Sequence, residues 1–326
     1  MKIKAAIIGM GIGQKHLESI ENYKGSKVTI LCDKNPKKIK ALKKKYPDKL
    51  ITSNAEDIFK NKSINLVSIA SYDNFHYSQI IKSLNSNKHV IVEKPLCLSI
   101  YELKKIIKLV NKKKLKITSN LPLRTISLFK KIKSKINLNK VFYIEADYIY
   151  GRLHKLFQWR SKIKNYSLTL GAGIHMIDLI MWLLNLKPIS VYSTGNSLLT
   201  TKSKFKKKSF ILNVLKFPND IIVKITSNST NSHQHMHDLK IFEKNKTIVN
   251  SIFGSYKINK NKKITKLPGE YPDKISRKKL IQSFLNNILN GSKPLINFQD
   301  QKNLMSVCFA ADKSLKTQKE IKIKYY

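Results

Sequence analysis

Lys88-His89-Val90-Ile91-Val92-Glu93-Lys94-Pro95 is the stretch on which the fold turns. Residues 90–92 form an apolar, β-branched run, the composition of a strand buried on both faces of a parallel sheet. An acid, a lysine and a proline follow at its carboxyl end. In an open α/β sheet ligands bind outside the carboxyl ends of the strands, so Lys94 is delivered to a ligand edge. Pro95 fixes its own φ and restricts the residue before it, which holds Lys94 in one pose. Taken alone, the stretch is equally a surface lysine in an ordinary strand-to-helix turn. Its neighbours decide between the two.

Upstream, residues 3–8 read as a buried strand running into Gly9-Met10-Gly11-Ile12-Gly13-Gln14-Lys15-His16 and a helix. A glycine-rich turn from strand to helix lets backbone N–H groups approach a pyrophosphate at the helix N-terminus. The third glycine, Gly13, comes one residue earlier than in Gly-x-Gly-x-x-Gly, and Gln14 takes the expected place. A second strand over 27–32 ends at Asp33, 24 residues after Gly9. An acid there accepts hydrogen bonds from a ribose 2′-OH. That favours NAD over NADP, although Lys34 beside it could offset a phosphate's charge. Helices over 35–46 and 55–59 follow, then a strand over 65–70 that ends in Ser71-Tyr72-Asp73-Asn74-Phe75-His76. His76 either lines the nicotinamide region or caps the helix it opens. A helix over 100–111 and a strand over 116–119 close a doubly wound parallel sheet, so residues 1–120 are expected to form a Rossmann domain.

The pattern changes in residues 121–326. Stretches 142–150, 189–193, 210–216, 221–227, 239–242 and 247–250 predict an α+β domain with a large open, mostly antiparallel sheet. A sheet with one uncovered face finds a partner, so a homo-oligomer is expected. Between these strands Gly171-Ala172-Gly173-Ile174-His175-Met176-Ile177-Asp178 begins a helix, with His175 and Asp178 on one face. His175 is either packed against an apolar helix or has room for a ligand. His233, His235 and His237 would face one way in a strand, but no carboxylate or cysteine completes a metal set, and no metal is expected. Helices over 277–289 and 301–316 end the pattern.

The chain of 326 residues is 42% hydrophobic and carries a net charge of +43. Arg124, Arg152, Arg160 and Arg277 are its only arginines, and the lysines are spread along the whole length. Arginine is the preferred residue for bidentate phosphate and base contacts, so specific nucleic-acid binding is not expected. The charge should still attract anionic substrates. Cys32, Cys97 and Cys308 have no metal-ligand spacing and suit reduced thiols of the cytosol. The longest apolar tract, 174–186, is interrupted by His175, Asp178 and Asn185, so no membrane span and a soluble, cytoplasmic protein are expected.

Together these residues resemble the Gfo/Idh/MocA family, which includes glucose-fructose oxidoreductase and inositol dehydrogenase. The resemblance runs through the glycine turn, Asp33, His76, Glu93-Lys94-Pro95, Asn120-Leu121-Pro122-Leu123-Arg124 and Gly173-Ile174-His175-Met176-Ile177-Asp178. It continues in Pro294, Asp300, Ala310-Ala311 and Ser314. It implies an N-terminal Rossmann domain, a C-terminal open-sheet domain for substrate binding and oligomerisation, and an active site in the cleft between them. The implied cofactor is NAD, with NADP an alternative, held by Gly9, Gly11, Ile12, Gly13, Asp33, Ser71, His76, Glu93 and Lys94. Lys94 and His175 carry over as the catalytic pair. Candidates for substrate contact are Arg124, Tyr148, Tyr150, Arg152, Arg160 and Asp178, and the arginines among them suit an anionic, sugar-like molecule or structural ion pairs. An acid often stands four residues before the family's histidine, where this chain has Gly171. The implied reaction is hydride transfer between the nicotinamide and a secondary alcohol or ketone of a sugar, sugar nucleotide or cyclitol. The alternatives are epimerisation or glycosidic elimination without net redox, and a non-catalytic dinucleotide-binding protein.

Overall fold

The computed structural model describes residues 2–151, 153–229, 232–273 and 275–326. Strand and helix first alternate: β1 (Ile3–Ile8), α1 (Gly13–Glu21), β2 (Ser26–Cys32), α2 (Pro36–Lys45), β3 (Leu50–Thr52), α3 (Glu56–Lys60), β4 (Leu66–Ile69), α4 (Asp73–Asn85), β5 (His89–Glu93), α5 (Ile100–Lys113) and β6 (Ile117–Asn120). After α6 (Ser127–Lys133) come β7 (Val141–Ile149), α7 (Ile174–Leu184), β8 (Ser190–Asn196), β9 (Phe210–Lys216), β10 (Ile222–Asn228), β11 (Met236–Glu243), β12 (Lys246–Ser251), β13 (Gly254–Asn259) and β14 (Ile264–Lys266). The last elements are α8 (Ser276–Asn290), α9 (Phe298–Thr317) and β15 (Ile321–Lys322). The chain divides into two units, Met1–Thr125 with Lys274–Gln301, and Ile126–Asp273 with Lys302–Tyr326.

The first unit is built on a six-stranded sheet in the order β3-β2-β1-β4-β5-β6, with every pair parallel. The winding reverses between β1 and β4, and a ligand crevice opens at the carboxyl ends of strands on either side of such a switch. Ala5, Ile7, Leu66 and Val90 are fully buried, as strands covered on both faces require. The helix over 276–290, placed by the sequence in the second region, belongs to this unit instead. Its Ile281, Phe284, Leu285 and Ile288 join one apolar cluster with Ile3, Leu17, Ile20 and Val28. An amphipathic pattern declares a buried face but not which sheet will bury it.

The second unit holds a nine-stranded sheet in the order β14-β13-β12-β11-β7-β10-β9-β8-β15. The β7–β10 pair is parallel and the other pairs are antiparallel. Along β9 and β10 buried residues alternate with half-exposed ones, the signature of a sheet covered on one face. β11 starts at Met236, so the expected row of three histidines does not form: only His237 lies in the strand. Strands β3, β13, β14 and β15 are short or polar, and the sequence pattern does not announce them. Among the described residues no helix is long and apolar enough to cross a membrane.

Candidate functional site

The glycine turn after β1 is shaped by sterics at two of its three glycines. Gly9 has φ +90°, and a Cβ there would lie 2.5 Å from the Ala70 carbonyl oxygen at the end of β4. Only glycine combines that backbone with that approach. A Cβ on Gly13 would lie 2.9 Å from Ile7 Cγ2, so this glycine lets α1 pack closely on β1. Close helix–strand packing is the task of the third glycine in a dinucleotide fingerprint, and Gly13 performs it one residue early. At Gly11 nothing lies nearer to an added Cβ than Lys38 Nζ at 4.0 Å, so the backbone stays open to approach. No side chain caps the nine-residue helix α1. A turn with open backbone and an uncapped helix start fits a pyrophosphate.

Asp33 closes the other side of this edge. Its Oδ2 accepts the Met10 N–H at 2.8 Å and Lys38 Nζ at 3.3 Å, and its Oδ1 accepts the Asn35 N–H at 2.9 Å. The carboxylate therefore ties the glycine turn to the start of α2. It stands where a ribose diol is received in this topology.

At the end of β5, Glu93 is locked from beneath. Its Oε1 accepts His16 Nε2 at 3.0 Å and Asn120 Nδ2 at 2.6 Å, with Arg277 Nε 3.8 Å away. Burial alone would raise its pKa; the His16 hydrogen bond and charge, with Arg277 and Asn120, overcome this and hold it at about 2. His16 faces Ser68 Oγ with Nδ1 at 2.7 Å. Ser68, His16 and Glu93 thus form a serine–histidine–acid chain, but Ser68 and His16 are fully buried. The chain is a clamp, not a nucleophile. It fixes the strand end from which half-buried Lys94 projects, ahead of a cis Lys94–Pro95 bond.

His76 is also fully buried. Its Nδ1 lies 2.7 Å from the Pro95 carbonyl oxygen and its Nε2 3.2 Å from that of Ser71. The ring bridges the loops after β4 and β5, which makes it a brace for Pro95. Ser71 Oγ donates to Gln79 Oε1 at 2.7 Å. Arg124 is buried and ion-paired with Asp300, Nη1 to Oδ2 at 3.3 Å.

In the second unit, rings from β7, the approach to β11 and α7 gather. His175 stacks on Tyr148 at 5.6 Å between centroids and 11° between planes. His235 and His237 meet Tyr148 edge-on at 5.3 and 5.0 Å, and Tyr150 lies 6.0 Å from Tyr148. Tyr271 completes the group. Its hydroxyl accepts the His237 backbone N–H at 2.9 Å and meets His237 Nδ1 in a second, short hydrogen bond. The phenol accepts at the first, so its own proton goes to Nδ1, and the neutral imidazole carries its hydrogen on Nε2. Burial, then the neighbouring His235, pushes His237 down to about 3. Burial raises Tyr271, so the phenol keeps its proton. Neither the tyrosine nor this pairing has any local signature in the sequence. His233 Nδ1 lies 2.8 Å from the Gln234 carbonyl oxygen.

The Gly171-Ala172-Gly173 run has a steric reason. It lies in a π-helical turn, Thr169–Gly173, leading into α7. A Cβ on Gly173 would come within 2.6 Å of Ser227 Oγ on β10, and one on Gly171 within 2.0 Å of the Tyr166 hydroxyl. Tyr166, itself buried, occupies the volume that any side chain at 171 would need. Asp178 is buried on α7. Arg160 stacks on Trp159, its Cζ 4.2 Å from the ring centroid. Arg152 lies outside the described residues. Among the described residues no group of three or more histidine, cysteine or acidic side chains could hold a metal ion.

Two family models match this chain. The oxidoreductase family model, NAD-binding Rossmann fold, covers residues 3–121, and the GFO/IDH/MocA C-terminal domain covers 129–249. An inositol 2-dehydrogenase of Salmonella typhimurium is 26% identical over 233 residues, 70% of this chain and 65% of that protein. The oxidoreductase YteT of Bacillus subtilis, named as putative, is 26% identical over 180 residues, 52% of this chain and 42% of its own length. The chain thus spans between about two fifths and two thirds of these curated relatives. Among solved structures, scyllo-inositol dehydrogenase of Lactobacillus casei with NAD(H) and scyllo-inositol has TM-score 0.82 at 19% identity, covering 99% of each chain. Myo-inositol 2-dehydrogenase of Lactobacillus plantarum has TM-score 0.84 at 18% identity, covering 99% of this chain and 100% of that one.

Proposed function

The chain belongs to the Gfo/Idh/MocA oxidoreductase family, and on that premise we propose that it is an NAD-dependent dehydrogenase acting on a secondary alcohol of a cyclitol or sugar. One observation carries the reading. A single sheet edge holds an open glycine turn, an acid tied to that turn, and a lysine on a strand end locked by buried hydrogen bonds. Bound NAD would supply the hydride acceptor. Gly9, Gly11, Ile12 and Gly13 would receive its pyrophosphate and Asp33 a ribose hydroxyl. The Lys94 ammonium would stabilise the alkoxide that develops as the substrate hydroxyl loses its proton. His175 would take that proton, since imidazole titrates nearest neutral pH. His76 and Glu93 would act through Lys94, as positioning residues.

Tyr148, Tyr150, His235 and His237 are the proposed substrate-recognising surface, and Asp178 a support for the helix that carries His175. Aromatic rings, imidazoles and phenol hydroxyls suit a polyol. Arg124 is engaged by Asp300, and the Arg160 guanidinium lies over the Trp159 ring. A neutral cyclitol or sugar is therefore preferred over an anionic one, in keeping with the inositol dehydrogenases among the relatives. We further propose that copies associate through the uncovered face of the nine-stranded sheet, where Tyr143 and Phe242 stack at 5.5 Å; light scattering would read this.

The test is incubation with NAD and a panel of inositols, sugars and sugar nucleotides, followed by absorbance of the reduced nicotinamide. Accumulation of NADH with at least one member supports the reading. Substrate conversion with no net NADH would replace it by epimerisation or elimination. Cofactor binding with no conversion would leave a dinucleotide-binding protein.

A further inference from the structure

Asp33 receives more partners than a ribose-binding acid needs. An ionised carboxylate has about four lone-pair positions. Met10 N–H and Lys38 Nζ use those of Oδ2, and Asn35 N–H takes one at Oδ1. One position is left, yet an NAD ribose offers two hydroxyls. Of the three partners two are backbone groups, so only Lys38 can leave. Its side chain is 46% exposed, against 11% for Asp33. Lys38 Nζ is also the nearest atom to the open side of Gly11, so it spans from the ribose acid to the glycine turn. Lys34, the other basic candidate, points its Nζ at the Phe75 ring, 5.4 Å from the centroid.

We propose that Lys38 determines cofactor specificity in this protein: it is a movable counter-ion that lets the site take NADP as well as NAD. The inference rests on the dinucleotide reading above and deepens it. An isolated Asp33 would repel a 2′-phosphate. With Lys38 beside it the repulsion is offset, and the ammonium turns from the carboxylate to the phosphate as a charge-assisted donor. With NAD bound, the same lysine competes with the ribose for Asp33. Lys38 therefore favours NADP and mildly opposes NAD.

The test uses the full chain and binding alone, read by nicotinamide fluorescence on titration with NADH and with NADPH. The wild type should bind both, with dissociation constants within about tenfold of each other. Lys38→Ala should weaken NADPH by about tenfold or more, the size of one charge-assisted hydrogen bond. It should leave NADH unchanged or slightly tighter. Lys38→Arg should retain NADPH, and Lys37→Ala should alter neither cofactor. Equal loss of both cofactors in Lys38→Ala, or a wild type that excludes NADPH, would overturn the proposal. A wild type that binds neither would overturn the dinucleotide reading with it. Alanine on the exposed face of α2 favours helix, so a folding failure is not expected, and circular dichroism checks it.

Discussion

Glu93 in the first unit and His237 in the second are both buried or nearly so, and they treat their charge in opposite ways. Glu93 keeps it: His16, Asn120 and Arg277 converge on one carboxylate and hold its pKa at about 2. His237 gives it up: burial pushes it down to about 3, and a protonated Tyr271 accepts its N–H and donates to its ring. The first edge is thus organised around fixed charges, which suits an ionic cofactor and a lysine that must stay in place. The second gathers imidazole and phenol rings around a His237 that stays neutral, which suits a hydroxylated substrate. The division of labour follows from what surrounds each group, not from its type.

The largest expected effects separate the two regions directly. Lys94→Met and His175→Ala should each lower kcat by about 10²–10⁴-fold on the substrate identified in the panel. Only the Lys94 variant should also weaken NADH binding, read by fluorescence titration. If both variants lose cofactor equally, the proposed separation fails.

Stability against pH should divide in the same way. The Glu93 pKa is depressed from 4.5 in the unfolded chain to about 2, so its contribution is present above 4.5 and is lost as pH falls toward 2. Glu93→Gln should remove on the order of 3 kcal/mol at neutral pH and flatten that limb of a denaturation series. His237 is depressed from 6.5 to about 3, so its contribution fades over a higher window, between those values. His237→Gln should flatten that earlier limb and leave the Glu93 limb intact. Coincident changes in both variants would break the comparison.

Smaller effects are expected from packing. Gly171→Ala drives a methyl group into Tyr166 and should cost about 1–3 kcal/mol in chemical denaturation, as overpacking does. Adding Tyr166→Ala should recover part of the loss specific to the clash. Tyr271→Phe leaves the His237 N–H without its acceptor, and the loss should be about 1–2 kcal/mol in the same measurement.

The first edge was far more legible in the sequence than the second surface. A β-branched run, a glycine turn and an acid at a strand end are local signals, each fixed by backbone sterics and sheet topology, and they led to Gly9, Asp33 and Lys94. The clamp beneath Lys94 was not visible, because His16, Ser68, Glu93 and Asn120 come from four separate elements. Nor does the sequence show that Tyr166 fills the volume a side chain at Gly171 would need. His233 and His235 precede β11, which starts only at Met236, and an alternating pattern does not mark that start. Return of α8 to the first unit is a tertiary choice, which an amphipathic pattern cannot express.

Hydride transfer itself gives the most direct measurement. Wild type, Lys94→Met and His175→Ala are incubated with NAD and the cyclitol and sugar panel, and reduced nicotinamide is followed by absorbance. The account predicts NADH formation by the wild type with at least one polyol, and its loss by about 10²-fold or more in both variants. Wild-type rates retained in either variant, or a protein that binds NADH yet reduces NAD with no member of the panel, would contradict it.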